Sequence, residues 1–344
     1  MSIPVVAFFN NKGGVGKTSL VYHLSWIYSD MGRRVLAADL DPQANLTAAF
    51  LDDDRLEELW GDGVQRMTVF DAIDPLLRGI GDISDAHCEP IDDKLTLLVG
   101  DLELARFEDE LSLQWPQAAD GKERAFRVLS AFWRLTQRAA ERMMAEVVLL
   151  DLGPNLGAIN RVALIASDYV VIPLGPDLFS LQGLKNLGPT LRMWREQWHD
   201  RVARNKEAHL DLPAGSIVPL GYVVLQHATH LNRPVRAYDR WMRRIPEVYA
   251  TEVLEKPAPP EDLEVKDDPL CLGQLKHYRS LMPMAQEARK PIFHLTTADG
   301  ALGAHVKAVM SARRDFENLA RAIATRSWDQ STRKRKRRRS KPAD

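Results

Sequence analysis

Lys12-Gly13-Gly14-Val15-Gly16-Lys17-Thr18-Ser19 is a glycine-rich loop with a lysine on either side of its Gly-Gly-Val-Gly core. Glycines let the backbone approach an anion closely, so that successive amides can point at phosphate oxygens, while a following Lys-Thr pair supplies a cation and a hydroxyl for magnesium. The glycine that opens the common phosphate-loop pattern would fall at position 11, where this chain has Asn11. An apolar run rich in strand formers, Ile3 to Phe9, precedes the loop. From Thr18 to Met31, Leu20, Leu24, Ile27 and Tyr28 recur at helical spacing. Strand, glycine loop and helix put a helix N-terminus, with its partial positive charge, against the bound phosphates. Lys17 is expected to bridge the terminal phosphates and the Thr18 hydroxyl to ligate Mg2+. A plain structural turn would need no paired lysines.

Outward from the loop, short apolar strands alternate with amphipathic helices. Arg33–Asp39, Leu95–Val99, Met144–Asp151, Asp168–Leu174 and Ile217–Leu225 read as strands, and Ile292–Leu295 as a weaker one. Helices are expected over 102–111 and 123–144, with a loop at 112–122 around Pro116 and Gly121. The alternation predicts an α/β fold: a mostly parallel, doubly wound sheet with helices on both faces. We expect one domain over 1–327, with insertions near 105–125 and 255–270, and a basic tail over 328–344. The 344 residues, 45% of them hydrophobic, suffice for a large core. No run reaches the length of a membrane span, and the N-terminus enters a strand at once rather than a signal-peptide layout. The two cysteines, Cys88 and Cys271, have no metal-ligand spacing and suggest a reducing cytoplasm.

Three carboxylates fall at strand ends, where open α/β sheets place their ligands: Asp39, Asp41 and Asp151. Such an acid is often only a turn former or helix cap. Beside a phosphate loop, carboxylates suit a hard, hydrated magnesium ion, and Asp151 is the natural acid after the hydrophobic strand. Lys12 ahead of Gly-Gly-Val-Gly-Lys17-Thr18 resembles the deviant phosphate loop of the ParA/MinD family of ATPases. Asp39-Leu-Asp41-Pro42-Gln43-Ala-Asn45 is similar to that family's switch I, and Asp151-Leu152-Gly153-Pro154-Asn155-Leu156-Gly157 to its Walker B and switch II segment. Family-like segments continue through Thr68–Ile73, Leu95–Leu104, Ile172–Leu174, Leu181–Leu184 and Arg289–Ile292, covering about residues 1–325. Departures are Gly153 in place of a common proline, a long separation between Asp41 and Asp151, and no clear arginine motif near 270–280. The resemblance implies ATP and Mg2+ bound by residues 12–19, Asp41 orienting the attacking water, and Asp39 and Asp151 supporting the magnesium shell. It also implies that Lys12 reaches the phosphates of a partner subunit, so that two ATP molecules lie sandwiched in a homodimer.

The net charge of −1 conceals an uneven distribution: residues 333–344 hold eight Lys/Arg and one acid, leaving 38 basic against 46 acidic residues elsewhere. The run Arg333, Lys334, Arg335, Lys336, Arg337, Arg338 and Arg339 reads as an arm for nucleic acid or an anionic membrane, or else as a solubilising tail. A second basic surface is expected on a helix opening at Asn232-Arg233-Pro234. Its Val235, Tyr238, Met242 and Ile245 share one face, and Arg236, Arg240 and Arg243 another, with Arg233 and Arg244 nearby. A solvated arginine face is the plain alternative. The resemblance makes these residues candidates for nonspecific DNA binding by a ParA-type switch that positions or segregates DNA or another cargo. It further implies slow hydrolysis stimulated by a partner protein, at a cytoplasmic, nucleoid-associated location. A MinD-like membrane positioner would call for an amphipathic C-terminal helix, whereas this segment is almost purely charged. A metabolic enzyme on the same fold is the other alternative; an iron–sulfur reductase lacks a convincing thiolate set here. Guanine reading is disfavoured because Asn205-Lys206-Glu207-Ala208 lacks the acid of Asn-Lys-x-Asp.

Overall fold

The strands are β1 (Val5–Phe8), β2 (Val35–Asp39), β3 (Cys88–Asp92), β4 (Leu95–Leu98), β5 (Val147–Asp151), β6 (Tyr169–Leu174), β7 (Val218–Leu225) and β8 (Cys271–Leu275). In this computed structural model, which describes residues 2–61, 67–206, 209–225 and 235–328 (backbone alone at 235–238), they form one sheet in the order β3-β4-β2-β5-β1-β6-β7-β8. Every pairing is parallel except β3 with β4. This is the mostly parallel sheet expected from the alternation.

Alternate residues of a strand point to opposite faces. Val5 and Ala7 of β1 accordingly enter the core under helices 107–119, 131–142, 158–165 and 178–202. Val6 and Phe8 enter the core under helices 17–30 and 304–326. Burial on both faces explains why β1, β2 and β5 read as continuous apolar runs rather than alternating ones. Each fully buried Leu, Ile or Phe side chain contributes about 1.5–3 kcal/mol. The helix after the glycine loop, Lys17–Asp30, places Leu20, Leu24, Ile27 and Tyr28 inward, as its spacing predicts.

Three expectations are corrected. Residues 112–122 are largely helical, since a helix spans Phe107–Ala119 with Pro116 inside it. Leu111, Trp115 and Ala118 bury one face, and that burial outweighs the single helical hydrogen bond that Pro116 cannot donate. The expected helix 123–144 breaks at Ser130 into Glu123–Leu129 and Ala131–Arg142. Ile292–His294 is a 3₁₀ turn after Pro291 rather than a strand, and the last strand is Cys271–Leu275 instead. That strand and β3 lie at the two edges of the sheet, and neither carries the continuous apolar run of the central strands: β8 reads Cys-Leu-Gly-Gln-Leu and β3 reads Cys-Glu-Pro-Ile-Asp. Residues 255–270 are mostly exposed, anchored by buried Val265 and Asp268.

Candidate active site

The carboxyl ends of β1, β2 and β5 lie side by side, with Phe8 opposite Asp151 and Asp151 opposite Asp39. The chain leaves β1 through Asn10, whose Nδ2 donates to the Pro173 carbonyl (2.7 Å) and whose Oδ1 accepts from the Lys12 amide (2.9 Å). Asn10 thereby pins the loop to β6. Gly14 and Gly16 take left-handed conformations, φ 70° and 77°, which disfavour a side chain. At Gly16 a Cβ would also stand 2.8 Å from Leu225 Cδ1. The helix begins directly at Lys17 with no side-chain cap, leaving its first amides to face the loop.

Lys17 is 6% exposed, and its Nζ donates to the Asn10 carbonyl at 3.3 Å and to the Lys12 carbonyl at 3.5 Å. Burial lowers its pKa, opposed by the charges of Asp151 and Asp41. The Asp39 carboxylate accepts from the Thr47 amide (2.8 Å) and hydroxyl (2.9 Å), and burial raises its pKa to about 7. Asp41 accepts from the Gln43 amide (3.0 Å). Asp151 is fully buried, and neither of its carboxylate oxygens has a hydrogen-bond partner of ordinary geometry. Its pKa is pushed well up by burial and by the Asp39 charge, moderated by the nearby Thr18 hydroxyl. A buried carboxylate left without partners is costly unless something else fills its lone pairs. A hydrated cation beside Thr18 would do so, and these oxygen donors fit magnesium. No cage of three or more His, Cys, Asp or Glu ligands exists among the described residues, so phosphate and water would have to supply most of the coordination.

Beside the loop opens a cleft of about 740 Å³, lined by Gly13, Lys17, Thr18, Asp41, Gln43 and Arg289 among others. A smaller apolar pocket of about 170 Å³ adjoins it, between Gly16, Leu20, His23, Leu225, Leu275 and Tyr278. Lys12 lies apart from Lys17: its Nζ pairs with Asp177 at 2.5 Å and sits 5.9 Å from the Phe179 ring centroid. Asp177 also caps helix Leu178–Val202, accepting from the Ser180 amide at 2.9 Å. Sequence reasoning missed Asp177, Thr47 and Asn10. Asp177 carried the same signal as Asp39 and Asp151, an acid just past a strand end, whereas Thr47 and Asn10 acquire their roles only through tertiary contacts.

A family model described as an AAA domain (AAA_31) matches residues 3–203. The sporulation initiation inhibitor protein Soj of Bacillus subtilis (strain 168) is 29% identical over 189 residues, 55% of this chain and 65% of Soj. The chromosome partitioning protein ParA of Caulobacter vibrioides is 28% identical over 256 residues, 68% of this chain and 87% of that protein. The chain belongs to the ParA/MinD family of P-loop ATPases. Solved structures agree on the fold. Protein DIP2308 from Corynebacterium diphtheriae superposes with a TM-score of 0.67 at 22% identity, covering 95% of this chain and all of that one. A putative plasmid partition protein from Borrelia burgdorferi B31, bound to AMPPNP, gives 0.57 at 18% identity, with 94% and 99% covered.

The structure brings together Lys12 to Ser19, Asp39, Asp41 and Asp151 of this ParA/MinD chain, but not the basic candidates. Arg240, Arg243 and Arg244 are exposed on or just after helix Val235–Met242, and Trp241 and Met242 pack against the core. The guanidinium groups of Arg240 and Arg244 lie 5.1 and 5.7 Å from the Trp241 ring centroid, and neither arginine forms an ion pair with a described residue. The backbone at Arg236 is helical. Arg233 and Arg333 to Arg339 lie outside the described residues. Among the described residues no helix is long and apolar enough to cross a membrane.

Proposed function

We propose that the chain is a ParA-type switch ATPase, with residues 1–327 acting as one unit that binds MgATP and dimerises around it. Hydrolysis to ADP and phosphate then releases the dimer. The observation carrying this reading is the division of labour between two lysines: Lys17 is buried inside the loop, whereas Lys12 is directed away from it, onto Asp177. A lysine needed only for its own protomer's phosphates would have no reason to face outward. In the dimer Lys12 exchanges Asp177 for the partner's ATP, where it stabilises charge developing on the transferred phosphoryl group. Asp41 orients the attacking water. Thr18 would hold magnesium, with Asp39 and Asp151 supporting its water shell and Asp39 also fixing switch I through Thr47; the ion would neutralise phosphate charge. The small apolar pocket beside Gly16 receives the adenine base.

The dimer's output is assembly on DNA. Arg233, Arg236, Arg240, Arg243 and Arg244 and the basic run 333–339 contact phosphates without reading sequence, and a partner protein stimulates release. ATP turnover and retention on unrelated DNA sequences, measured with and without ATP across a salt series, test this reading. Binding stimulated by ATP and weakened by salt is the expected result. Vesicle flotation in place of DNA retention would favour the membrane-positioning alternative.

A further inference from the structure

We infer that Glu108 is a positioning residue that ties the loop after β5 to helix Phe107–Ala119, so that the state of the nucleotide is felt on that helix. Its two carboxylate oxygens accept from the first amides of helix Ala158–Ile165: Oε1 from Ala158 N (2.5 Å) and Oε2 from Ile159 N (2.8 Å). Helix 158–165 has no side-chain cap of its own at Gly157, so the cap comes from 50 residues away. A carboxylate at this end is favoured by the helix dipole and forms charge-assisted hydrogen bonds. The fit leaves no spare room, because a Cβ on Gly157 would stand 2.6 Å from Glu108 Oε1.

The other side of the same turn reaches the chemistry. Asn160 Nδ2 donates to the carbonyls of Gly153 (3.0 Å) and Asn155 (2.7 Å). At Gly153 a Cβ would lie only 3.1 Å from Asp41 Oδ1. A movement of the 152–157 loop against the γ-phosphate therefore pulls on the turn that Glu108 holds. Helix 107–119 is bound to the same element a second time by Trp115, whose ring centroid lies 4.2 Å from the Arg161 guanidinium and 4.2 Å from that of Arg201. Arg161 is largely buried, its Nε lacks a hydrogen-bond partner, and Glu108 is the acid whose charge supports it. Glu108 thus joins three things with one carboxylate: the helix start, the Arg161 charge and helix 107–119.

The inference rests on the nucleotide-switch reading, and hydrogen exchange of the full chain with and without AMPPNP and Mg2+ separates the two. In the wild type, nucleotide slows exchange at 12–19 and 152–157, and at 107–119 by at least about fivefold. In Glu108→Ala the response persists at 12–19 and 152–157 but falls below about twofold at 107–119. Glu108→Gln keeps an acceptor oxygen and restores at least half of the response, so the test survives if the alanine variant folds poorly. Turnover gives a second readout: Glu108→Ala lowers kcat about tenfold while KM for ATP stays within about twofold. A wild-type response confined to 12–19 and 152–157, or an alanine variant responding like wild type at 107–119, overturns the inference. No protection anywhere overturns the nucleotide reading itself.

Discussion

At the phosphate loop, Lys17 is 6% exposed, contacts backbone carbonyls and lies in the field of Asp41 and Asp151. On helix Val235–Met242 and just beyond it, Arg240, Arg243 and Arg244 stand in solvent, two of them stacked on Trp241. Both regions concentrate cations. In the first, every charged group is coupled to buried neighbours, so removing one strands the others in a low-dielectric setting. In the second, each arginine is solvated and acts nearly alone. Loss of function should therefore be steep and non-additive at the loop, and shallow and additive on the helix.

Asp41→Ala would break that comparison if it were mild. If Asp41 orients the attacking water as proposed, its removal should lower ATP turnover at least about 100-fold while ATP binding is kept, trapping a dimer. Turnover assays beside equilibrium binding check this. Lys17→Ala should cost at least about 100-fold in ATP affinity, or about 2.8 kcal/mol, as read by titration with a fluorescent ATP analogue.

His23, in the same helix, extends the coupling to stability. Its Nδ1 faces the Ser19 carbonyl at 2.7 Å, and its Nε2 accepts from the Ile292 amide, an arrangement suited to the neutral ring. Burial, with a smaller contribution from the His294 charge, pushes its pKa down to about 4 from 6.5. The unfolded chain therefore binds more protons between those values. The His23 contribution to stability is full above about pH 6.5 and falls as pH drops toward 4, by about 2 kcal/mol between pH 7.5 and pH 5, while the raised pKa of Asp39 acts in the opposite direction over the same range. Urea unfolding of the wild type and of His23→Gln at the two pH values isolates this contribution: the wild type should lose about 2 kcal/mol relative to the variant between pH 7.5 and pH 5.

The smallest effect belongs to the arginine helix. Arg240→Ala and Arg244→Ala should each weaken DNA binding only a few-fold at moderate salt and reduce the salt slope by about one. A hundred-fold loss from either would show that the surface is as tightly coupled as the loop.

The contrast also explains what was legible in the sequence. That Lys12 to Ser19, Asp39, Asp41 and Asp151 would converge was legible because each sits at or just after the end of an apolar strand, and the central strands carry continuous apolar runs. Asp177 and Glu108 were not assigned roles. Their contacts span 165 residues, from Asp177 to Lys12, and about 50 residues, from Glu108 to Ala158 and Ile159, and no local pattern announces a bond of that kind. β3 and β8 were missed for another reason: at the sheet edges they lack the continuous apolar run that burial on both faces gives the central strands. The helix through Pro116 was not legible because proline disfavours a helix locally, whereas the burial of Leu111, Trp115 and Ala118 that stabilises it arises only from tertiary packing.

The central claim, that Lys12 serves the nucleotide of the other protomer, is tested most directly by mixing two inactive variants. Lys12→Ala retains Asp41 but has no lysine to donate; Asp41→Ala retains Lys12 but cannot orient water. In a mixed dimer, the site on the Lys12→Ala protomer regains both groups, so each variant alone should be nearly inactive and the mixture should recover measurable ATP turnover. A mixture no more active than its components, or a monomeric Lys12→Ala protein with wild-type turnover, would contradict the shared-nucleotide account.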